Sequence, residues 1–123
     1  DEDKVYPRAL HPMIRTHPAS KRRALYVNPS FTTFIEGLSK QESNALLAML
    51  YQHQQRPEFQ VRFNWSPNAI ALWDNRCTHH FAVWDYWPEE RKGHRVTIKG
   101  ERPYLEATNE RSSPENLRLS TQL

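Results

Sequence analysis

The chain has 123 residues, and 17 Lys and Arg against 14 Asp and Glu leave a net charge of +3; a domain of this size buries only about two-thirds of its unfolded surface. No basic run exceeds Lys21-Arg22-Arg23, which argues against a nucleic-acid partner. No apolar stretch nears the ~20 residues that span a bilayer, Asp1-Glu2-Asp3 does not open a signal peptide, and the lone Cys77 excludes an intrachain disulfide, so a cytoplasmic protein with no membrane partner is expected.

From Asp1 to Pro18 the chain is polar, and His11-Pro12 and His17-Pro18 push each histidine towards extended backbone, so loop and short strand are expected. Ala24-Leu25-Tyr26-Val27 reads as a short strand closed by Asn28-Pro29, and Phe31 to Ile35 as a further extended piece ended by Gly37. Ser39-Lys40-Gln41-Glu42 fits a capping box, and Ala45, Leu46, Met49 and Leu50 then recur at helical spacing, which predicts a helix over 39–53. After Pro57 the period changes: Phe59, Val61, Phe63 and Trp65 alternate with polar residues, as in a strand with one buried face. Ala69 to Trp73, Thr78 to Trp84 and His94 to Lys99 are expected to continue an antiparallel sheet, broken by the polar loop 85–93. From Leu105 to Leu123 periodicity is lost, and a polar tail, disordered or packed on a partner subunit, is expected.

Chemistry-bearing residues concentrate in Trp73-Asp74-Asn75-Arg76-Cys77-Thr78-His79-His80-Phe81-Ala82, followed by Arg91, His94 and Arg95. Imidazoles suit a transition metal and guanidiniums grip carboxylates or sulfonates, so a metal site beside an anion site is one reading. The other is structural: a lone strand histidine is usually a hydrogen-bonded core group, Cys77 reads as buried and inert, and Arg15, Arg22, Arg23, Arg62 and Arg102 read as surface cations.

The segment Trp73-Asp74-Asn75-Arg76, with Thr78, His80 and Ala82, resembles the WDNRxTxHxA segment of the taurine dioxygenase family. His11-Pro12, Arg15-Thr16-His17-Pro18, Arg23 to Pro29, Arg56 to Arg62 and Arg102-Pro103-Tyr104 resemble stretches of the same family in the same order, so the likeness covers residues 7 to 104. It implies a mainly β fold, the C-terminal half of a double-stranded β-helix (jelly roll) with one inserted helix. It implies an iron(II)- and 2-oxoglutarate-dependent dioxygenase that uses O2, hydroxylates a small sulfonate such as taurine with release of sulfite, and yields succinate and carbon dioxide. Carried over residue by residue, His80 matches the distal iron ligand, Arg91 the arginine that binds the far carboxylate of 2-oxoglutarate, and Arg95 the arginine that binds the substrate's sulfonate. His79 matches nothing, and Asp74 and Asn75 match supporting or turn positions.

The family's other two ligands form a His-x-Asp motif, and the residues two after each histidine here are Met13, Ala19, Gln55, Phe81, Ala82 and Val96. The resemblance therefore implies that the motif lies upstream of Asp1, that this chain alone neither holds iron tightly nor turns over, and that its partners are a small anionic substrate and the N-terminal half of the same domain; the tail adds a second copy, in a homo-oligomer, as a further expected partner. Alternatives are a dioxygenase of the same family acting on an alkyl sulfate ester or aryloxy acid, and a non-catalytic jelly-roll module that binds anions.

Overall fold

In the computed structural model the described residues are 8–107 together with the backbone of 118–122. The regular elements among them are β1 (Arg8–Pro12), β2 (Ile14–Thr16), β3 (Arg23–Leu25), β4 (Thr32–Ile35), α1 (Lys40–Gln54) and β5 (Arg118–Gln122), with a 3₁₀ turn at Pro57–Phe59. β5 lies between β1 and β4, antiparallel to both, with Leu10 opposite Ser120 and Ile35 opposite Leu119. β2 and β3 form a separate antiparallel pair, Ile14 opposite Leu25.

α1 starts where the sequence says it should. Ser39 is the N-cap, its hydroxyl accepts from the Glu42 amide at 3.3 Å, and the Glu42 carboxylate accepts from the Ser39 amide at 2.9 Å. The buried stripe, however, is rotated from the expected one: Ser43 and Leu47 face inward, Leu46, Leu50 and Tyr51 pack beside them, and Met49 is exposed. The reason is steric and polar together. Ser43 is small, and its buried hydroxyl accepts the Ile35 amide at 2.9 Å, which draws the helix onto the end of β4. Gln54 donates to the Val27 carbonyl at 3.1 Å and fixes the far end of α1 to the β3 side. Met13, Val27, Ile35 and Leu47 form the buried core.

Two expectations are corrected. The four strands expected between Phe59 and Lys99 are not formed, because among the described residues no hydrogen-bonded ladder reaches them and residues 60–107 run without regular structure. A strand is completed by its neighbour, and alternating side chains alone do not satisfy its amides and carbonyls. The tail is not wholly irregular either: Arg118–Gln122 is the middle strand of the larger sheet, while 108–117 and Leu123 lie outside the described residues, as do Asp1 to Pro7. The described residues form no closed barrel. No helix among them is long and apolar enough to cross a membrane.

Candidate functional site

The Trp73–Thr78 segment folds as a tight turn organised by Asp74. The Asp74 carbonyl accepts the Cys77 and Thr78 amides at 3.2 and 3.0 Å and the Thr78 hydroxyl at 2.7 Å. Its carboxylate accepts the Arg76 amide at 2.9 Å and a forked pair of contacts from the Arg76 guanidinium, the shorter at 2.7 Å. Such a fork is among the stronger pairings a carboxylate can make.

The same carboxylate reaches out of the turn. The Ser20 amide donates to His17 Nδ1 at 3.1 Å, so Nδ1 is the unprotonated nitrogen and Nε2–H donates to Asp74 Oδ2 at 3.1 Å. Arg76 first, and then His17, hold the Asp74 carboxyl well below the usual carboxylate range. Glu101 continues the network, accepting from Arg15 at 2.6 Å and lying 3.8 Å from Arg76. The Thr16 amide donates to the Tyr104 carbonyl, and the Glu106 amide donates to the Thr16 hydroxyl. The turn and the 101–106 stretch are thus moored to the end of β2.

Arg15, His17 and Glu101 are the residues that sequence reasoning missed. Arg15 is 2% exposed rather than a surface cation, with its guanidinium 5.0 Å from the Tyr26 ring centre and its charge met by Glu101. Its position two residues before His17-Pro18, inside one of the matching segments, was the available signal. Cys77 is exposed, not buried, because it sits on the outside of the Asp74 turn. His11 lies edge-on to Tyr26 at 6.1 Å, and burial, then the charges of Arg102 and Arg15, push its imidazole below the ordinary value, which keeps it neutral at pH 7.

The expected site residues occupy separate surroundings. His80 is exposed, its ring tilted against Trp73 at 4.6 Å between centroids, and the Trp73 indole N–H donates to Asn75 Oδ1 at 3.0 Å. Arg91 lies over two rings, 5.7 Å from the centre of Trp65 and 5.7 Å from that of Tyr86, beside a hollow also lined by Trp84, Trp87, Glu89 and Glu90. Arg95 is exposed and makes no ion pair or ring contact among the described residues. His79 is exposed as well.

Iron of the kind implied needs two imidazoles and a carboxylate on one face of the metal. Among the described residues one group of three ligand-type side chains converges, His17, Asp74 and Cys77, with candidate ligand atoms within 4.8 Å of one another. It does not include His80, and both carboxylate oxygens of Asp74 are already engaged by Arg76. His80 therefore offers the right kind of donor without the number, and the described residues do not by themselves fit the metal.

A sequence profile described as "Taurine catabolism dioxygenase TauD, TfdA family" matches residues 1–97. An alpha-ketoglutarate-dependent sulfonate dioxygenase of Saccharomyces cerevisiae (strain ATCC 204508 / S288c) is 41% identical over 96 residues, 76% of this chain and 23% of its own length. An alpha-ketoglutarate-dependent sulfate ester dioxygenase of Pseudomonas putida is 44% identical over 93 residues, 76% of this chain and 31% of its own. An alkylsulfatase of Acinetobacter baylyi (strain ATCC 33305 / BD413 / ADP1) is 35% identical over 91 residues, 74% of this chain and 28% of its own. The chain spans between about a quarter and a third of the length of the curated relatives it matches.

Proposed function

From the premise that the chain belongs to the taurine catabolism dioxygenase TauD, TfdA family, we propose that it supplies the distal histidine and two anion-binding arginines of an iron(II)- and 2-oxoglutarate-dependent dioxygenase. The carrying observation is the order His80, Arg91, Arg95 downstream of Trp73-Asp74-Asn75-Arg76, within a match that runs over residues 1–97. The intact active site would hydroxylate a carbon beside a sulfonate or sulfate ester, with sulfite or an equivalent leaving, and would convert 2-oxoglutarate to succinate and carbon dioxide. The yeast and Pseudomonas relatives, named for those two substrate classes, support this range. Taurine is the narrower choice within it, and the cytoplasm the compartment that a chain with one cysteine suits.

In this reading the chain's own work is binding and orientation. Arg91 presents a planar fork to the carboxylate of 2-oxoglutarate, Arg95 a cation to the substrate's anionic end, and His80 an imidazole held against Trp73. Iron, when bound, supplies the activation of dioxygen. The remaining donors belong to the upstream His-x-Asp region that the family carries. A second reading, an anion-binding module without catalysis, is favoured by one observation: among the described residues His80 belongs to no group of three ligand-type side chains.

Succinate release separates the two. Residues 1–123 joined to the upstream region of the Pseudomonas relative are expected to release succinate when iron(II), 2-oxoglutarate and an alkyl sulfonate or alkyl sulfate are supplied together. His80→Ala in that fusion is expected to abolish release. Succinate that is undiminished by His80→Ala would end the assignment of His80, and a fusion that binds sulfonate without turnover would favour the module.

A further inference from the structure

Arg91 is held by aromatic rings, not by acids. Its guanidinium carbon lies 5.7 Å from the ring centres of both Trp65 and Tyr86. Each of those rings is fixed in turn: Trp65 meets Phe63 edge-on at 5.0 Å, and Tyr86 stacks with Trp84 at 5.8 Å. Glu89 and Glu90 line the same hollow, yet Glu90 takes Lys92 at 2.8 Å, and Arg91 makes no ion pair among the described residues. Among the described residues no backbone ladder joins the two stretches that carry these four aromatic residues, and the Arg91 guanidinium lies near a ring of each. Arg95, four residues on, has no such ring contact among the described residues.

We propose that Trp65 and Tyr86 are positioning residues that clamp the Arg91 guanidinium by its faces and leave its N–H edge free for the carboxylate of a 2-oxo acid. The proposal rests on the reading of Arg91 as the carboxylate-binding residue. The physical logic is that aromatic faces attract a guanidinium without consuming its hydrogens, whereas a carboxylate neighbour would occupy the fork. A long side chain ordered before the ligand arrives loses less freedom on binding, which strengthens the complex without a new contact. Lysine has no planar face to clamp, so the arrangement suits arginine specifically.

The test is side-chain NMR on residues 1–123 joined to the upstream region of the Pseudomonas relative, unligated and titrated with 2-oxoglutarate. The Arg91 Cδ protons and Nε–H are expected to resonate upfield of free arginine because of the two ring currents. Trp65→Leu and Tyr86→Leu should each return them towards the free position and weaken 2-oxoglutarate binding by roughly two- to fivefold. Trp65→Phe, which keeps a ring face, should retain most of both effects, and Trp87→Leu, which removes a ring from the hollow without touching the clamp, should change neither. Because Trp65 is half exposed, its loss does not empty the core. Arg91 resonances at free-arginine positions in the unmutated chain, or binding unaltered by both leucine variants, would overturn the clamp. Upfield Arg91 resonances with no 2-oxoglutarate binding would instead overturn the carboxylate reading of Arg91 and leave the clamp standing.

Discussion

Residues 8–57 and residues 60–107 carry similar apolar residues and treat them in opposite ways. In the first stretch Val27 and Ile35 are 0% exposed; in the second Val61 is 95% and Leu72 93% exposed. The first has a capped helix and β-pairings that close on it, whereas the second has alternation and apolar runs but no partner strand among the described residues. Apolar pattern thus marks which face of a segment wants cover, and a ladder or a helix must still provide that cover. The residues assigned to chemistry, His80, Arg91 and Arg95, all lie on the uncovered side, moored to the covered one through the end of β2.

The contrast is sharpest in the core. Ile35→Ala removes a fully buried side chain between β4 and α1 and is expected to cost roughly 2–5 kcal/mol, read from urea unfolding followed by helical circular dichroism. An effect below 1 kcal/mol would mean that the Met13–Val27–Ile35–Leu47 cluster is not a working core.

The mooring comes next. Asp74 couples the two stretches, since its carboxylate is held by Arg76 in one and by His17 in the other. A carboxylate whose acidity is raised by folding contributes stability that is fully present above the unfolded value near 4 and is lost as pH falls through its lower folded value. Asp74→Asn is therefore expected to lower stability at neutral pH and to flatten part of the decline in acid. Parallel acid profiles for the two proteins would show that Asp74 does not join the stretches. Smaller again is Ser39→Ala, which removes one half of the capping box and should cost about 1 kcal/mol in the same unfolding experiment.

The helix and its cap were legible because they are local: Ser39 and Glu42 satisfy each other across three residues, whatever the rest of the chain does. The stretch that becomes β4 was visible in the run Phe31 to Ile35 before Gly37, although its ladder partner is the distant β5. β5 was not, because Arg118–Gln122 has no periodicity of its own and becomes a strand only between β1 and β4. In the site, the ordered motifs singled out Trp73 to His80, Arg91 and Arg95, but the pairing of Asp74 with His17 spans 57 positions and that of Arg15 with Glu101 spans 86. Sequence patterns of one strand or helix do not reach that far. Arg15 was misjudged for this reason, since its burial depends on a carboxylate that no local pattern places beside it.

The smallest expected effect is the most discriminating for the comparison. Leu72→Ala deletes as many side-chain carbons as Ile35→Ala, but at a position 93% exposed. Little apolar area is removed from water there, no cavity is created, and the change is expected to stay within about 0.5 kcal/mol of zero. If the same substitution is made after residues 1–123 are joined to the upstream region of the Pseudomonas relative, and Ala69 to Trp73 then lies in an inner strand, its cost should rise to roughly 2–5 kcal/mol. A cost that stays near zero in the fusion would mean that Leu72 remains uncovered there, and that the apolar run beside the Asp74 turn is not a strand of the completed site.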